Sequence, residues 1–114
     1  MVNLDRVTMF VSSTASNGVV SGETCLDFSQ RGERVWARYA GGTVSRGWLV
    51  GRWIADSLRF RYAQIESSGA IHAGRSECDV QHLSDGRLRL IEHFAWSTRS
   101  GSGINAFEEQ SRAN

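Results

Sequence analysis

The strongest constraint in this chain is a two-residue periodicity broken at short intervals by turn residues. In Arg34-Val35-Trp36-Ala37-Arg38-Tyr39, Leu58-Arg59-Phe60-Arg61-Tyr62-Ala63-Gln64-Ile65 and Arg87-Leu88-Arg89-Leu90, large apolar side chains alternate with Arg, as in strands buried on one face only. Turn signals stand between and around these runs: Asn17-Gly18, Arg31-Gly32-Glu33, Gly41-Gly42, Ala55-Asp56-Ser57, Ser67-Ser68-Gly69, Ser84-Asp85-Gly86 and Ser100-Gly101-Ser102-Gly103. Parallel strands need long crossovers, and no helix-length apolar stripe fits between any two of these turns. The strands must therefore run as antiparallel hairpins.

The spacing predicts about eight strands: Val7–Thr14, Val20–Gln30, Arg34–Ala40, Thr43–Ile54, Leu58–Glu66, Ala70–Val80, Arg87–Thr98 and Gly103–Gln110. Proline, a common means of blunting a sheet edge, is absent from all 114 residues. Closure is then the economical way to remove the edges. The expected architecture is all-β, one domain over residues 1–114 with an ordered core from about 7 to 110. It is a single antiparallel up-and-down barrel of the lipocalin or streptavidin (calycin) kind, with a split β-sandwich as the alternative. Met1–Arg6 and Ser111–Asn114 read as loose tails.

Composition narrows the chemistry. All 13 basic residues are Arg, so Schiff-base lysines, pyridoxal phosphate anchors and Walker-type lysines are excluded. The net charge of +1 supplies no general pull toward nucleic acid or anionic membrane. The chain lacks an apolar run of membrane-spanning length and a signal-peptide pattern, which predicts a cytoplasmic protein. Cys25 and Cys78 read as buried free thiols. The spacing of His72, Cys78 and His82 matches no zinc pattern, and no metal or cofactor is implied. Gly101–Ala106 spells a dinucleotide fingerprint in letters but lacks the strand-to-helix setting, and reads as a hairpin turn.

Alternation assigns the inner face. It places inward Thr24, Leu26 and Phe28; Val35, Ala37 and Tyr39; Gly47, Leu49, Gly51 and Trp53; Leu58, Phe60, Tyr62 and Gln64; His72, Gly74, Ser76 and Cys78; and Leu88, Leu90, Glu92, Phe94 and Trp96. Gly47 and Gly51 leave space beside large neighbours. Glu92 interrupts an apolar stripe, where an ionised carboxylate is costly unless paired. It is either a general acid or base, a ligand anchor, or a structural carboxylate held by an inward Arg or Tyr hydroxyl. Tyr62 and Gln64 offer a hydroxyl and an amide to orient a ligand. His72, Tyr39, Ser76, Trp96, Phe94 and Trp53 complete the candidate wall.

The residues expected to matter also carry a resemblance. Asn17-Gly18 with Glu23-Thr24, Tyr39-Ala40-Gly41-Gly42, Gly47-Trp48-Leu49-Val50-Gly51, Arg61-Tyr62-Ala63-Gln64, Gly74 to Cys78 and Asp85-Gly86-Arg87-Leu88-Arg89-Leu90 occur in order. Glu92, Trp96, Gly103 and Glu108-Glu109 follow. The chain so resembles a family of short bacterial proteins often labelled N-acetylglutamate synthase. It departs from the family pattern at Ser76, Cys78 and Phe94. The helices and phosphate-cradling loop of an acetyl-CoA-dependent transferase are missing, so the resemblance implies a small β-barrel.

These features lead to a barrel that holds one small, mostly apolar molecule. If it is an enzyme, cofactor-free isomerisation, cyclisation or elimination suits the inventory, with Glu92 accepting a proton and Tyr62 donating one. The alternatives are a non-catalytic interaction protein, self-associating as a homodimer, and a single-stranded nucleic-acid binder. The last is disfavoured because in Arg59–Tyr62 and in Trp36–Tyr39 the Arg and aromatic residues are expected on opposite faces.

Overall fold

The computed structural model describes residues 2–110, so the tail expected at Ser111–Asn114 lies outside the described residues. It contains eight strands, β1 (Thr8–Ser13), β2 (Cys25–Arg31), β3 (Arg34–Gly41), β4 (Val44–Ile54), β5 (Ser57–Glu66), β6 (Ile71–His82), β7 (Leu88–Trp96) and β8 (Ser102–Glu109). Each pairs antiparallel with the next, and β1 pairs with β8, so the sheet closes into a barrel. The split sandwich is thereby excluded. Every inward residue expected on β3, β5 and β7 lies inside or at the rim, and Arg38, Arg52, Arg59 and Arg61 are exposed.

The interior is built by setting aromatic rings over glycines on the neighbouring strand. Tyr39 faces Gly47, Phe60 faces Gly51, Tyr62 faces Gly74 and Phe94 faces Gly103. A methyl group at Gly47 would lie 2.3 Å from the Tyr39 ring, and one at Gly74 would lie 2.3 Å from the Tyr62 hydroxyl oxygen. The space expected at Gly47 is occupied by the Tyr39 ring, and that at Gly51 by the Arg59 carbonyl and the Phe60 backbone and Cβ.

Four connections, β1–β2, β3–β4, β5–β6 and β7–β8, lie at one end of the barrel, here the upper end. The lower end is sealed by Trp53, Leu58, Cys78, Leu88 and Leu90, all buried, together with the segment before β1. That segment, expected as a tail, instead buries Leu4 completely. Its amide donates to Gln30 Oε1 at 2.9 Å, and Gln30 Nε2 donates to the Val2 carbonyl at 3.1 Å. The ordered core thus begins ahead of residue 7, because Gln30 supplies the hydrogen bonds that an isolated tail would lack.

Two further expectations change. Val20–Thr24 is a connection rather than the start of β2, since the Ser21 and Thr24 amides and side chain close a local turn on each other. Cys25 is exposed and Cys78 is buried, both as free thiols.

The β4–β5 hairpin turns on two residues, Ala55 and Asp56, with Ala55 at φ 54°. The equivalent first position of the β2–β3 hairpin is Gly32, at φ 61°. A side chain in this left-handed region costs about 1–2 kcal/mol, partly offset by the greater freedom glycine has when unfolded. Ala55→Gly should accordingly raise stability by about 0.5–1 kcal/mol in urea titrations; a loss of stability would contradict the strained reading of this turn.

Candidate functional site

The upper half of the barrel holds a partly open cavity of about 30 Å³, room for about one water molecule. Tyr39, Tyr62, Gln64, Glu92, Phe94 and Trp96 of the expected set line it. Gly18, Val19 and Val20 of the β1–β2 connection also line it. The aromatic wall is continuous: Tyr62 meets Trp96 edge to face at 5.4 Å between centroids, and Phe94 meets Trp96 at 5.9 Å.

Glu92 is brought inside by strict alternation along β7 and is 6% exposed. Ser76 Oγ donates to its Oε2 at 2.6 Å, and Asn105 Nδ2 donates to its Oε1 at 2.9 Å. Asn105 stands directly opposite it on β8, and Ser76 reaches it diagonally from β6, where Cys78 is the residue directly opposite. Burial pushes the Glu92 carboxyl above its ordinary value, and the Ser76 and Asn105 hydrogen bonds pull back only in part. The structural-carboxylate expectation thus has the right form but different partners, two neutral donors in place of an Arg or a Tyr.

A second polar chain runs along the rim. Tyr39 Oη donates to Gln64 Oε1 at 2.9 Å, Gln64 Nε2 donates to Glu66 Oε2 at 2.9 Å, and Arg99 pairs with the same Glu66 oxygen. The Arg99 guanidinium carbon lies 4.3 Å from the Trp96 ring centroid, a stacked cation–π contact. Burial and the nearby Glu92 carboxylate raise both the Tyr39 and the Tyr62 hydroxyl pKa far above the ordinary phenol value.

Three expected wall residues play other parts. Ser76 supports Glu92 instead of facing the cavity. His72 stands half-buried at the rim, its Nδ1 2.8 Å from Thr98 Oγ1 and its ring 6.1 Å from Trp96. Trp53 is at the lower end, its Nε1 donating to Gln30 Oε1 at 3.2 Å, because its register opposite Leu58 puts it beside the β4–β5 turn. It does not belong to the site. Asn105, Glu66 and Arg99 were not foreseen. Period two carried through β8 would have turned Asn105 inward with Phe107, and carried one step past Gln64 it would have reached Glu66. Arg99 lies in a turn, where alternation says nothing.

Residues 2–110 match the family model described as avidin-like protein. The chain belongs to the avidin-like family. No curated protein and no solved structure gives a significant match. The avidin-like assignment and the resemblance read from the sequence agree on a small β-barrel. This avidin-like barrel carries a buried carboxyl, Glu92, in the wall of its cavity.

Because Glu92 holds its proton more tightly when folded than when unfolded, its contribution to stability is complete at low pH. It is lost as pH rises from the ordinary value of 4.5 through the raised native value. Asp85 and Glu108, lowered mainly by Arg87 and Arg89 respectively, act in the opposite sense at more acidic pH. Glu92→Gln keeps a carbonyl for Asn105 and offers an amide to Ser76. Urea midpoints measured from pH 4 to 8 should show the variant gaining on the parent as pH rises; a difference independent of pH would show that folding does not raise the Glu92 pKa.

Proposed function

We propose that the upper end of the barrel binds one small, mostly apolar molecule through an acceptor group such as a carbonyl oxygen. The observation that carries this reading is a set of buried hydrogen-bond donors without partners, Tyr62 Oη, Trp96 Nε1 and Arg99 Nε. Tyr62 and Trp96 line the cavity and touch each other, and Arg99 stacks on Trp96. Native proteins leave few such groups unsatisfied, and each costs about 1–3 kcal/mol. A ligand that presents an acceptor there would recover that cost. Membership of the avidin-like family, a barrel family associated with small ligands, supports the same reading.

The cavity of about 30 Å³ is too small for such a molecule. Entry requires the Gly18-Val19-Val20 cover to move aside. This cover is held by side-chain hydrogen bonds: the Ala15 amide donates to Asn105 Oδ1 at 3.0 Å, Asn17 Nδ2 to the Ser102 carbonyl at 2.9 Å and Thr43 Oγ1 to the Val19 carbonyl at 3.1 Å. Since Asn105 also donates to Glu92, the carboxyl and the cover share one positioning residue.

Binding is favoured over acid/base catalysis by the occupancy of Glu92. Both of its oxygens are engaged by Ser76 and Asn105, leaving Tyr62 and Trp96 as the groups with free capacity.

Thermal unfolding with caprolactam, cyclohexanone, phenylacetamide and biotin as probes tests this. A probe at a hundred times its dissociation constant adds about 2.7 kcal/mol and raises the melting temperature by several degrees. Tyr62→Phe should weaken that probe's binding several-fold. The reading fails if no probe shifts the transition or perturbs Trp fluorescence, or if Tyr62→Phe binds the probe as well as the parent.

A further inference from the structure

On the outside of the barrel, the strand register sets like charges against one another. Arg34 stands opposite Arg52, Arg52 opposite Arg59 and, one row along, Arg61 opposite Arg75. All five are exposed. Like charges directly across a ladder destabilise a sheet, so an outer face that serves only to be solvated interleaves the two signs. Here the signs are interleaved only at Arg59, which faces Glu77, and at Arg38, which faces Asp27. Arg59 reaches Glu77 at 3.6 Å, while Arg34, Arg52, Arg61 and Arg75 make no ion pair among the described residues. The only acidic residue on β3, β4 or β5 is Glu66, and it is committed to Arg99. With a net charge of only +1 over the chain, positive charge is concentrated on this face.

Exposed rings stand on the same surface. Trp48 is 51% exposed and Trp36 is 40% exposed. Trp48 lies opposite Arg38, and Trp36 lies opposite the exposed Val50, which faces Arg61 on its other side. Opposite faces do separate Arg from aromatics in Arg59–Tyr62, where Phe60 and Tyr62 point inward. The expectation fails in Trp36–Tyr39, because Trp36 and Arg38 are two residues apart and share the outer face. A groove of about 710 Å³ on this surface is lined by Arg52, Arg59, Arg61 and Arg75, with Glu77 and apolar residues such as Val50 and Ile54 among them; Trp36 and Trp48 lie outside it.

We propose that this outer face binds single-stranded nucleic acid, with the Arg rows contacting successive phosphates and Trp36 and Trp48 stacking against bases. Rows of guanidinium groups on strands about 5 Å apart give a run of positive charge across the barrel, and exposed indole rings beside it supply sequence-tolerant stacking. A second copy of this chain fits less well, since a two-fold axis here would set Arg against Arg. A lipid surface fits less well because the charges line a groove instead of ringing an apolar protrusion.

Fluorescence anisotropy of a labelled 15-residue oligothymidylate, titrated with the full chain between 20 and 200 mM KCl, tests the proposal. Binding should weaken with salt along a log–log slope of about −2 to −3, as expected for three to four phosphate contacts on a single strand. Arg61→Glu should weaken binding at least about tenfold and make the slope shallower by about 1. The same change should raise the melting temperature by about 2 °C, because it turns the Arg61–Arg75 repulsion into attraction. Loss of binding in a more stable protein separates a contact residue from a structural one. Trp48→Ala should cost about tenfold in affinity with the slope unchanged. No binding at 20 mM KCl, binding indifferent to both substitutions, or binding to vesicles containing 30% anionic lipid in place of the oligonucleotide would overturn it.

Discussion

The seating of inward aromatic rings on cross-strand glycines is the constraint on which the rest of this barrel depends. An eight-stranded barrel has an interior that side chains can just fill. Tyr39, Phe60, Tyr62 and Phe94 all enter it, and each finds a glycine directly opposite on the next strand. A methyl group at Gly47, Gly74 or Gly103 would press on the facing Tyr39, Tyr62 or Phe94 side chain, and one at Gly51 on the backbone and Cβ of β5. With the glycines, four rings fit and the remaining space shrinks to about 30 Å³. The same arrangement delivers the Tyr39 hydroxyl to Gln64 and leaves the Tyr62 hydroxyl buried beside Trp96 without a partner.

The polar groups at the upper end follow from this packing. Rings on either side deny Glu92 water, so it must take its hydrogen bonds from Ser76 and Asn105 on the two adjacent strands. Asn105 in turn holds the β1–β2 connection through the Ala15 amide. A single chain of contacts therefore links the buried carboxyl to the cover over the cavity. On the proposed function, a ligand that displaces the cover would also disturb the environment of Glu92, because Asn105 contacts both.

Most of the fold was legible because a half-buried strand repeats every two residues and turns leave strong marks in Gly, Asn, Asp and Ser. Glu92 stood out for the same reason: it occupies a core position in an otherwise apolar stripe. The features that were not legible depend on how strands lie against each other. The meeting of Glu66 with Arg99 requires knowing that the β5–β6 and β7–β8 turns share one end of the barrel. Leu4 is buried because Gln30, far along the chain, receives its amide. The opposition of Arg52 to Arg34 and Arg59 is a matter of register, which alternation alone does not specify across turns of differing length. Trp53 was assigned to the wall correctly as to face but not as to height, since period two carries no information on position along the barrel axis.

A double-mutant cycle on Tyr39 and Gly47 probes the ring-on-glycine packing directly, because the three atoms nearest to a methyl group at Gly47 all belong to the Tyr39 ring. Stability of the parent, Gly47→Ala, Tyr39→Val and the double variant is measured by urea denaturation. The packing described here predicts that Gly47→Ala costs about 3 kcal/mol in the parent and less than about 1 kcal/mol once the ring is gone. An equal cost in both backgrounds would show that the glycine serves the strand and not the ring, and would contradict this account of how the interior is filled.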